Sequence, residues 1–399
     1  MRGLTQPVVY WIAATIVTGC SSEPVQDSSQ PETDGEAGTA AETGTDGFAD
    51  SGSGSGNVPD GDGVVTDCSP ALAELEELPL LLSETGLYAE PATKTVNAFA
   101  REFAPQFPLW TDGAAKRRWI YLPGCETIDT ADMDFWSFPV GTRAWKEFVV
   151  ASPTGDLLLE TRIIIRTGPG EDDFLFGSYR WNDAEVDAAL LIDGESDVRG
   201  TNHDIPDEQQ CLECHGGGGD GWGGGGGGGW GDRDGGGTPS RFLGFGAIQL
   251  SHDGPGLQLQ DLIDEQRLTA SPSGHFSVPD GMSGTAARVL GNFHGNCGHC
   301  HNTSPDGLSD VDMDLFLSVE ATTVEASGAY QTTVNVRSED WQGGDRIAPG
   351  DPQGSEVFVR DADRGTGFSS DQMPPLGTEV ADDAALADLE AWICALGPC

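Results

Sequence analysis

Asn296-Cys-Gly-His-Cys-His301 is the stretch around which the whole chain is organised. Within it, Cys297, Cys300 and His301 form a Cys-x-x-Cys-His unit, the pattern of covalent c-type haem attachment. Two thiols separated by two residues reach the two vinyl groups of one porphyrin, and the imidazole of the next residue ligates the iron. The stretch therefore predicts one haem c, with His301 as an axial ligand.

A second Cys-x-x-Cys-His unit lies upstream, at Cys211, Cys214 and His215. One such pentapeptide can occur by chance, but two of them behind an export signal are strong evidence for haem attachment. The sequence therefore predicts two covalently bound haems, with His215 as the axial ligand of the first. We name Cys211–His215 the first haem unit and Cys297–His301 the second.

The flanks of the second haem unit have the pattern of a helical haem domain. Apolar residues repeat at i, i+3, i+4 and i+7 on a helix that runs into the unit, at Ala286, Val289, Leu290 and Phe293. Met373 stands beside two prolines, before a closing helix with Asp382 as its expected cap. This order resembles a small class I cytochrome c domain. The resemblance implies Met373 as the second ligand of the His301 iron, and a buried packing methionine is the alternative.

The sequence leaves the second ligand of the first haem open. The available side chains are His203, His252, His275, His294 and Met282. We favour His203, because the short segment between it and Cys211 could wrap a haem edge. The alternative is a five-coordinate iron with His203 as a hydrogen-bonding surface residue. His299, inside the second haem unit, is expected at the surface.

Residues 1–20 have the pattern of a secretion signal. The apolar run Val8–Val17 is too short to span a bilayer. Val17-Thr-Gly-Cys20 resembles a lipobox, in which Cys20 is lipidated and anchors the chain without spanning the membrane. An ordinary cleaved signal is the alternative. We expect a lipid-anchored protein on the periplasmic side of the cell envelope, with a mild preference for the outer membrane.

Residues 21–67 form an acidic linker that contains no Lys or Arg. Such a segment cannot bury enough apolar surface to fold, so we expect a flexible tether. The whole chain carries a formal net charge of −45. This charge repels nucleic acid and anionic membrane surfaces, and it favours a basic redox partner protein.

The nine cysteines divide by chemistry. Cys20 is assigned to lipidation and four belong to the haem units. An even remainder in an oxidising compartment suggests two disulfides. The expected pairs are Cys68 with Cys125 and Cys394 with Cys399, and free buried thiols are the alternative.

Residues 68–200 predict a β-rich domain. Segments that are β-branched or aromatic lie between turn residues, at Trp119–Leu122, Trp145–Val150, Leu157–Arg166 and Phe174–Trp181. Several such strands at short spacing suggest an antiparallel sandwich. Leu72–Leu78 is expected to be a short helix. The basic run Lys116-Arg-Arg118 is interpreted as a solvated strand edge, with docking or a contact to haem propionates as the alternative.

The predicted fold class is α+β, a sandwich-like β-rich domain followed by an α-helical cytochrome c domain. The first haem segment, residues 201–280, lies between them, and residues 281–399 form the cytochrome c domain. Sixteen of the twenty-two residues from Gly216 to Gly237 are glycine. We interpret this run as a tolerated loop expansion, and stacking of Trp222 and Trp230 on a partner is the alternative.

Further stretches recur in one protein family. They are Leu82-Ser-Glu-Thr-Gly-Leu87, Pro108-Leu-Trp-Thr-Asp-Gly113, Lys116-Arg-Arg-Trp119, Trp136-Ser-Phe-Pro-Val-Gly-Thr142, Lys146-Glu-Phe148, Glu160-Thr-Arg162, Tyr179-Arg-Trp-Asn182, His203-Asp-Ile-Pro206, Ile347-Ala-Pro-Gly-Asp-Pro352 and Met373-Pro-Pro-Leu376. With the two haem units, they resemble a family of exported diheme c-type cytochromes with a β-rich N-terminal domain. The resemblance runs from about Leu78 to the C-terminus, and the glycine-rich insertion departs from it.

Three functions compete at this point. Electron transfer needs two haems close together and no substrate pocket. A diheme peroxidase or oxidase needs an open iron and a nearby acid or base, for which His203, Asp204 and Glu213 are candidates. In a zinc protein, His203, Cys211, Cys214 and His215 would be the four ligands. We expect an electron carrier rather than a catalyst. Asp310, Asp312 and Asp314 alternate, but they lack the glycine and closing glutamate of a calcium loop.

Overall fold

An antiparallel sheet of six strands forms the N-terminal part of the fold, and a helical region follows it. The computed structural model describes residues 72–153, 155–216, 240–281, 284–302, 311–338, 344–365 and 372–399. All of them belong to one compact unit. The predicted α+β class is confirmed at this level. The signal, the linker, Met282 and both tryptophans of the glycine-rich insertion lie outside the described residues, and the predicted domain boundaries stay predictions.

The sheet is a meander in which each strand pairs with the next along the chain. Its strands are β3 (Arg101–Glu102), β4 (Ala115–Tyr121), β5 (Arg143–Ser152), β6 (Gly155–Arg166), β7 (Phe174–Trp181) and β8 (Ala188–Leu191). A separate two-stranded ladder precedes it, β1 (Tyr88–Glu90) with β2 (Thr95–Val96). All four predicted strand segments are confirmed as β4 to β7, with small differences at their ends.

One face of the sheet carries an aromatic core. Trp119 and Trp145 are direct cross-strand partners, and Trp181 lies on β7 on the same face, fully buried. Tyr88 packs edge-on against Trp119 and Trp181, with ring centroids 6.4 and 6.0 Å apart. Among the described residues, the β structure that covers this face is therefore the short β1–β2 ladder, where the sequence predicted a sandwich-like second layer.

The segment predicted as a short helix at Leu72–Leu78 is not helical. Leu72, Leu75 and Leu78 instead pack along the aromatic core as non-helical chain. The Leu72 amide donates a hydrogen bond of 3.0 Å to the Tyr121 hydroxyl. Contacts with the sheet therefore override the local helical spacing.

The opposite face of the sheet, here called the inner face, begins with an apolar row. Ile120, Ala144, Ile164 and Phe176 are successive cross-strand partners from β4 to β7. Phenylalanines from outside the sheet pack on or beside this row, namely Phe103, Phe138, Phe242 and Phe245. The sheet is thus covered on both faces, and all of β6 except its first two residues is buried or half-buried.

The helical region is built around two helices that pack against each other. The helices of the structure are α1 (Glu208–His215), α2 (Leu259–Asp264), α3 (Thr285–Asn296), α4 (Gly328–Thr333), α5 (Glu356–Ala362) and α6 (Asp383–Leu396). The predicted apolar face of α3 is buried against α6, where the rings of Phe293 and Trp392 lie 6.4 Å apart. The carboxylate of Asp382 accepts hydrogen bonds from the Ala384 and Ala385 amides, which confirms it as the cap of α6.

A disulfide joins Cys394 at the end of α6 to Cys399. Cys125 is also disulfide-bonded, and Cys68 and Cys20 lie outside the described residues, so the pairing of Cys68 with Cys125 and the lipidation of Cys20 stay predictions. Within the described part of the chain, every helix is too short or too polar to cross a bilayer.

Candidate functional site

The first haem unit lies on helix α1. Asp207 caps this helix, because its carboxylate accepts a hydrogen bond of 2.8 Å from the Gln210 amide. Cys211, Cys214 and His215 stand at i, i+3 and i+4, which places them on one side of the helix. All three line the same cavity, and both thiols are free.

His215 is held in one tautomer by the backbone of Arg241. Its Nδ1–H donates a hydrogen bond of 2.9 Å to the Arg241 carbonyl. Burial lowers the pKa of His215 to about 4, so the ring is neutral at pH 7 and Nε2 keeps a free lone pair. A histidine that ligates a metal usually does so through one ring nitrogen while the other ring nitrogen donates its N–H to a backbone carbonyl or carboxylate.

The second haem unit begins where α3 ends. Cys297 packs against the core of the helical region, and burial raises the pKa of its thiol. His301 is buried, and its Nδ1 has no hydrogen-bond partner. Burial, with help from Arg346 and Arg360, lowers the pKa of His301 to about 4, so this ring is also neutral at pH 7.

The two haem units touch. The Cys300 Sγ lies 3.9 Å from the carbonyl oxygen of Glu213, although the two residues are 87 positions apart in sequence. Burial raises the pKa of Cys300 to about 12, and the neighbouring Cys214 acts in the same direction. The structure therefore brings the two predicted attachment points to one place.

Arg241 connects the two haem units through three hydrogen bonds. Its backbone amide donates to the His215 carbonyl at 3.0 Å, and its own carbonyl accepts from the His215 ring. Its Nη2 donates to the His299 carbonyl at 2.6 Å. Sequence reasoning missed this residue, since nothing in the local pattern around Arg241 distinguishes it.

A cavity of about 310 Å³ lies beside the first haem unit. Its walls come from the inner face of the sheet, from the chain around Phe242–Gln249, from the end of α3 and from Pro374–Thr378. The Phe176 ring, at the end of the apolar row, lies 5.6 Å from the His215 ring. The walls are mainly apolar and aromatic, as a planar apolar cofactor requires.

The inner face also carries a second row, in which the side chains are cationic. Arg118 pairs with Lys146 across β4 and β5, and Lys146 pairs with Arg162 across β5 and β6. All three line the cavity, and we call them the cation row. The solvated strand edge expected for the basic run is therefore wrong for Arg118, which is 8% exposed and stands on a strand that is paired on both sides.

His203 lies in the cavity wall but is already engaged. It is 3% exposed, and its Nε2 lies 2.7 Å from Oε1 of the buried Glu160, to which Arg162 also donates. Burial raises the pKa of Glu160, but Arg162 and His203 outweigh it, and the net pKa is lowered. A carboxylate only accepts, so His203 donates through Nε2 and has Nδ1 left for a metal. The surface position in the alternative is wrong, and the ligand assignment stays a prediction.

The other predicted candidates for that ligand are less free. His252 has both ring nitrogens engaged, by the Ala104 carbonyl and the Gly254 amide. His294 accepts the Leu317 amide on Nδ1, and burial lowers its pKa to about 4. The neutral ring then carries its proton on Nε2. His275 lies outside this cavity, 4.0 Å from Asp253.

His299 is half-buried and lines the cavity, so its expected position on the outer surface is wrong. Burial lowers its pKa to about 3, and His215 and Arg241 contribute. Glu213, a predicted acid or base, has its pKa raised to about 7 by burial and by Asp207. Asp204 lines the cavity, where Glu213 is not among the lining residues.

Met373 lies between α5 and the Pro374–Thr378 wall of the cavity and is not itself one of the lining residues. Its amide donates to the Arg360 carbonyl at 2.9 Å, and the peptide bond to Pro374 is cis. Arg360 also lies near enough to influence His301. Met373 as the second ligand of the His301 iron stays a prediction.

Among the residues that the structure describes, no three His, Cys, Asp or Glu side chains are grouped so as to hold a bare metal ion. His203, Cys211, Cys214 and His215, all described, are therefore not grouped as a zinc site would require. Asp314 accepts the Phe316 amide, and Asp310 lies outside the described residues. Comparison with protein-family models, curated proteins and solved structures gave no match.

Proposed function

We propose that the chain is an exported diheme c-type cytochrome that transfers electrons through two covalently bound haems. The observation that carries this proposal is the contact between the two haem units, at Cys300 and Glu213. Two attachment points this close would hold two haems near enough for electrons to pass between them. A reversible one-electron change at the iron is the chemistry that each haem supplies when bound.

The residues of the chain have defined roles in this proposal. The free thiols of Cys211, Cys214, Cys297 and Cys300 would hold the two haems covalently, two thiols to each haem. His215 and His301, both neutral at pH 7, would be the iron ligands. The bond from His215 to the Arg241 carbonyl orients one ring and increases its basicity.

Arg241 also links the two proposed iron ligands, His215 and His301, by a chain of covalent and hydrogen bonds. The route runs from the His215 ring to the Arg241 carbonyl, along its side chain to the His299 carbonyl, and through the backbone to His301. Most of this route runs through covalent bonds and hydrogen bonds and not through space. We therefore assign Arg241 as a positioning residue for electron exchange.

The finer description of the fold belongs to the same proposal. Packing of α3 against α6, with the second haem unit after α3, supports a class I-like cytochrome c domain at the C-terminus. The signal pattern supports lipid anchoring at Cys20 on the periplasmic side of the envelope. The charge of −45 supports a basic redox partner.

A diheme redox enzyme of the peroxidase or oxidase type is the second candidate. The observation that favours it is that His203, His252 and His294 all hydrogen-bond to other groups, and of these three His203 alone keeps a ring nitrogen, Nδ1, for an iron. An iron left with His215 alone would have an open position. Asp204 lies in the same cavity wall as a group that could handle protons.

Absorption spectra of the purified protein, oxidised and reduced, separate the two candidates. Electron transfer predicts low-spin, six-coordinate spectra at both haems. A high-spin band, together with turnover of hydrogen peroxide, would move the proposal to the enzyme. Metal analysis that finds zinc with a single iron would contradict both.

A further inference from the structure

The cation row is unusual because two of its three charged side chains have no direct anionic partner. Arg162 donates to Glu160 through Nε and Nη2 at 2.9 and 2.6 Å. Within the described part of the chain, neither the Arg118 guanidinium nor the Lys146 ammonium forms a hydrogen bond or an ion pair. The Lys146 ammonium instead lies over the Phe148 ring, with Nζ 4.8 Å from the ring centroid. Two cations at the cavity wall thus lack a direct anionic partner, although the Glu160 charge acts on Lys146.

Such an arrangement destabilises the folded protein unless a negative charge compensates it. Like charges directly opposite on neighbouring strands destabilise a sheet, and removing a charge from water without giving it a partner is unfavourable. Burial lowers the pKa of Lys146 well below its ordinary value, and Arg118 and Arg162 act in the same direction. At the end of the row, the buried Ser178 hydroxyl has no hydrogen-bond partner either.

The cation row contrasts with the acidic composition of the whole chain. It contains 20 Lys and Arg against 65 Asp and Glu, yet three cations stand side by side facing one cavity. The apolar row lies two residues away along the same strands, roughly 7 Å at the usual rise per residue. The wall therefore suits a ligand with an apolar body and negative charge at one edge.

We propose that the cation row is a binding site for carboxylates or similar oxyanions in the cavity beside the first haem unit. The oxyanion could come from either of two sources. One is the pair of propionates on the haem attached at Cys211 and Cys214, and the other is a free anion that enters the cavity. The first source rests on the proposed function. Phe176 ties the apolar row to the His215 ring, so the site and the first haem unit share one wall.

The test compares Lys146→Met and Arg118→Gln with the wild-type protein, with Arg118→Lys as the charge-keeping variant. Arg337→Gln removes an equal charge from a side chain that is 70% exposed, so it controls for the general change in net charge. Each protein is purified as produced, checked for folding by circular dichroism, and measured for both haem midpoint potentials. Binding of inorganic phosphate and of acetate is measured by calorimetry.

If propionates occupy the row, Lys146→Met lowers the midpoint potential of one haem and leaves the other unchanged, because a lost cation favours the oxidised form. Arg118→Lys keeps the wild-type value, and the protein binds neither phosphate nor acetate. If a free anion occupies it, the wild type binds phosphate or acetate saturably and Lys146→Met weakens that binding at least tenfold.

Potentials and anion binding that match those of Arg337→Gln in both Lys146→Met and Arg118→Gln would overturn the proposal. If Arg118→Gln fails to fold, Lys146→Met alone decides it. Absence of haem in the wild type would defeat the proposed function separately, and phosphate and acetate binding would then decide whether the cation row holds an anion.

Discussion

At the residue scale, hydrogen bonds decide which ring nitrogens can ligate iron. His215 and His294 are both buried and neutral, but His215 donates through Nδ1 whereas His294 accepts there. His215 therefore has a lone pair on Nε2, whereas His294 has a proton there. The sequence predicts His215 because its spacing from two cysteines is local. It could not distinguish His294 or His203, because their partners come from distant segments.

Arg241→Gln should slow electron exchange between the haems without changing haem content. The variant loses the bond to the His299 carbonyl but keeps the backbone carbonyl that orients His215. A hydrogen bond from a charged donor is worth about 1.5–3 kcal/mol, so stability should fall by a similar amount. Pulsed one-electron reduction followed by optical detection measures the exchange, and Arg241→Lys should restore part of it. An unchanged rate in Arg241→Gln would remove this residue from the route.

Glu160→Gln should destabilise the protein at pH 7 by about 1.5–3 kcal/mol, because it removes the charge of a carboxylate that accepts hydrogen bonds from Arg162 and His203. The net pKa of Glu160 is lowered from its ordinary 4.5 in the folded protein. Its stabilisation is therefore complete above pH 4.5 and is lost as the pH falls through the folded value. The difference between the two proteins in urea unfolding should shrink below pH 4.5. A constant difference would contradict the ionised state of Glu160.

At the element scale, period and capping explain what could be predicted. β-branched and aromatic segments between turn residues predicted β4 to β7, and Asp382 predicted the start of α6, since both signals are local. The register between strands is not local, so the cation row and the apolar row could not be seen in the sequence. Leu72–Leu78 has helical spacing, but its leucines are better buried as non-helical chain on the aromatic core.

Helix α3 approaches the chain at Phe107 closely, and glycines permit it. A Cβ on Gly295 would lie 2.5 Å from the Phe107 carbonyl oxygen. Gly295→Ala should therefore cost about 1–3 kcal/mol of unfolding free energy by overpacking. Gly281→Ala is the matched control, because a Cβ there meets nothing within 4 Å. Equal unfolding midpoints for the two variants would contradict this contact.

At the scale of the whole molecule, the sheet region and the helical region meet at one site. Arg241 lies between the two haem units in sequence and bonds to both. The sequence predicts each unit but not their contact, which depends on residues 87 positions apart. The structure thus shows what the sequence does not, namely that the two predicted attachment points lie next to each other.

The charge of −45 should govern electron exchange with small redox reagents. Reduction by the cation hexaammineruthenium(II) should be fast at low salt and slow down as the ionic strength rises. Oxidation by the anion ferricyanide should show the opposite trend, because salt screens attraction and repulsion alike. Stopped-flow measurements from 10 mM to 500 mM salt would test this. The same trend for both reagents would contradict electrostatic control.

The central claim is that both Cys-x-x-Cys-His units bind haem covalently. A pyridine haemochrome assay on the purified protein, with chain concentration from amino-acid analysis, measures haem per chain directly. The wild type should carry two haems, and Cys211→Ala with Cys214→Ala, or Cys297→Ala with Cys300→Ala, should each leave one. A single haem in the wild type that persists when Cys211 and Cys214 are replaced would contradict the account.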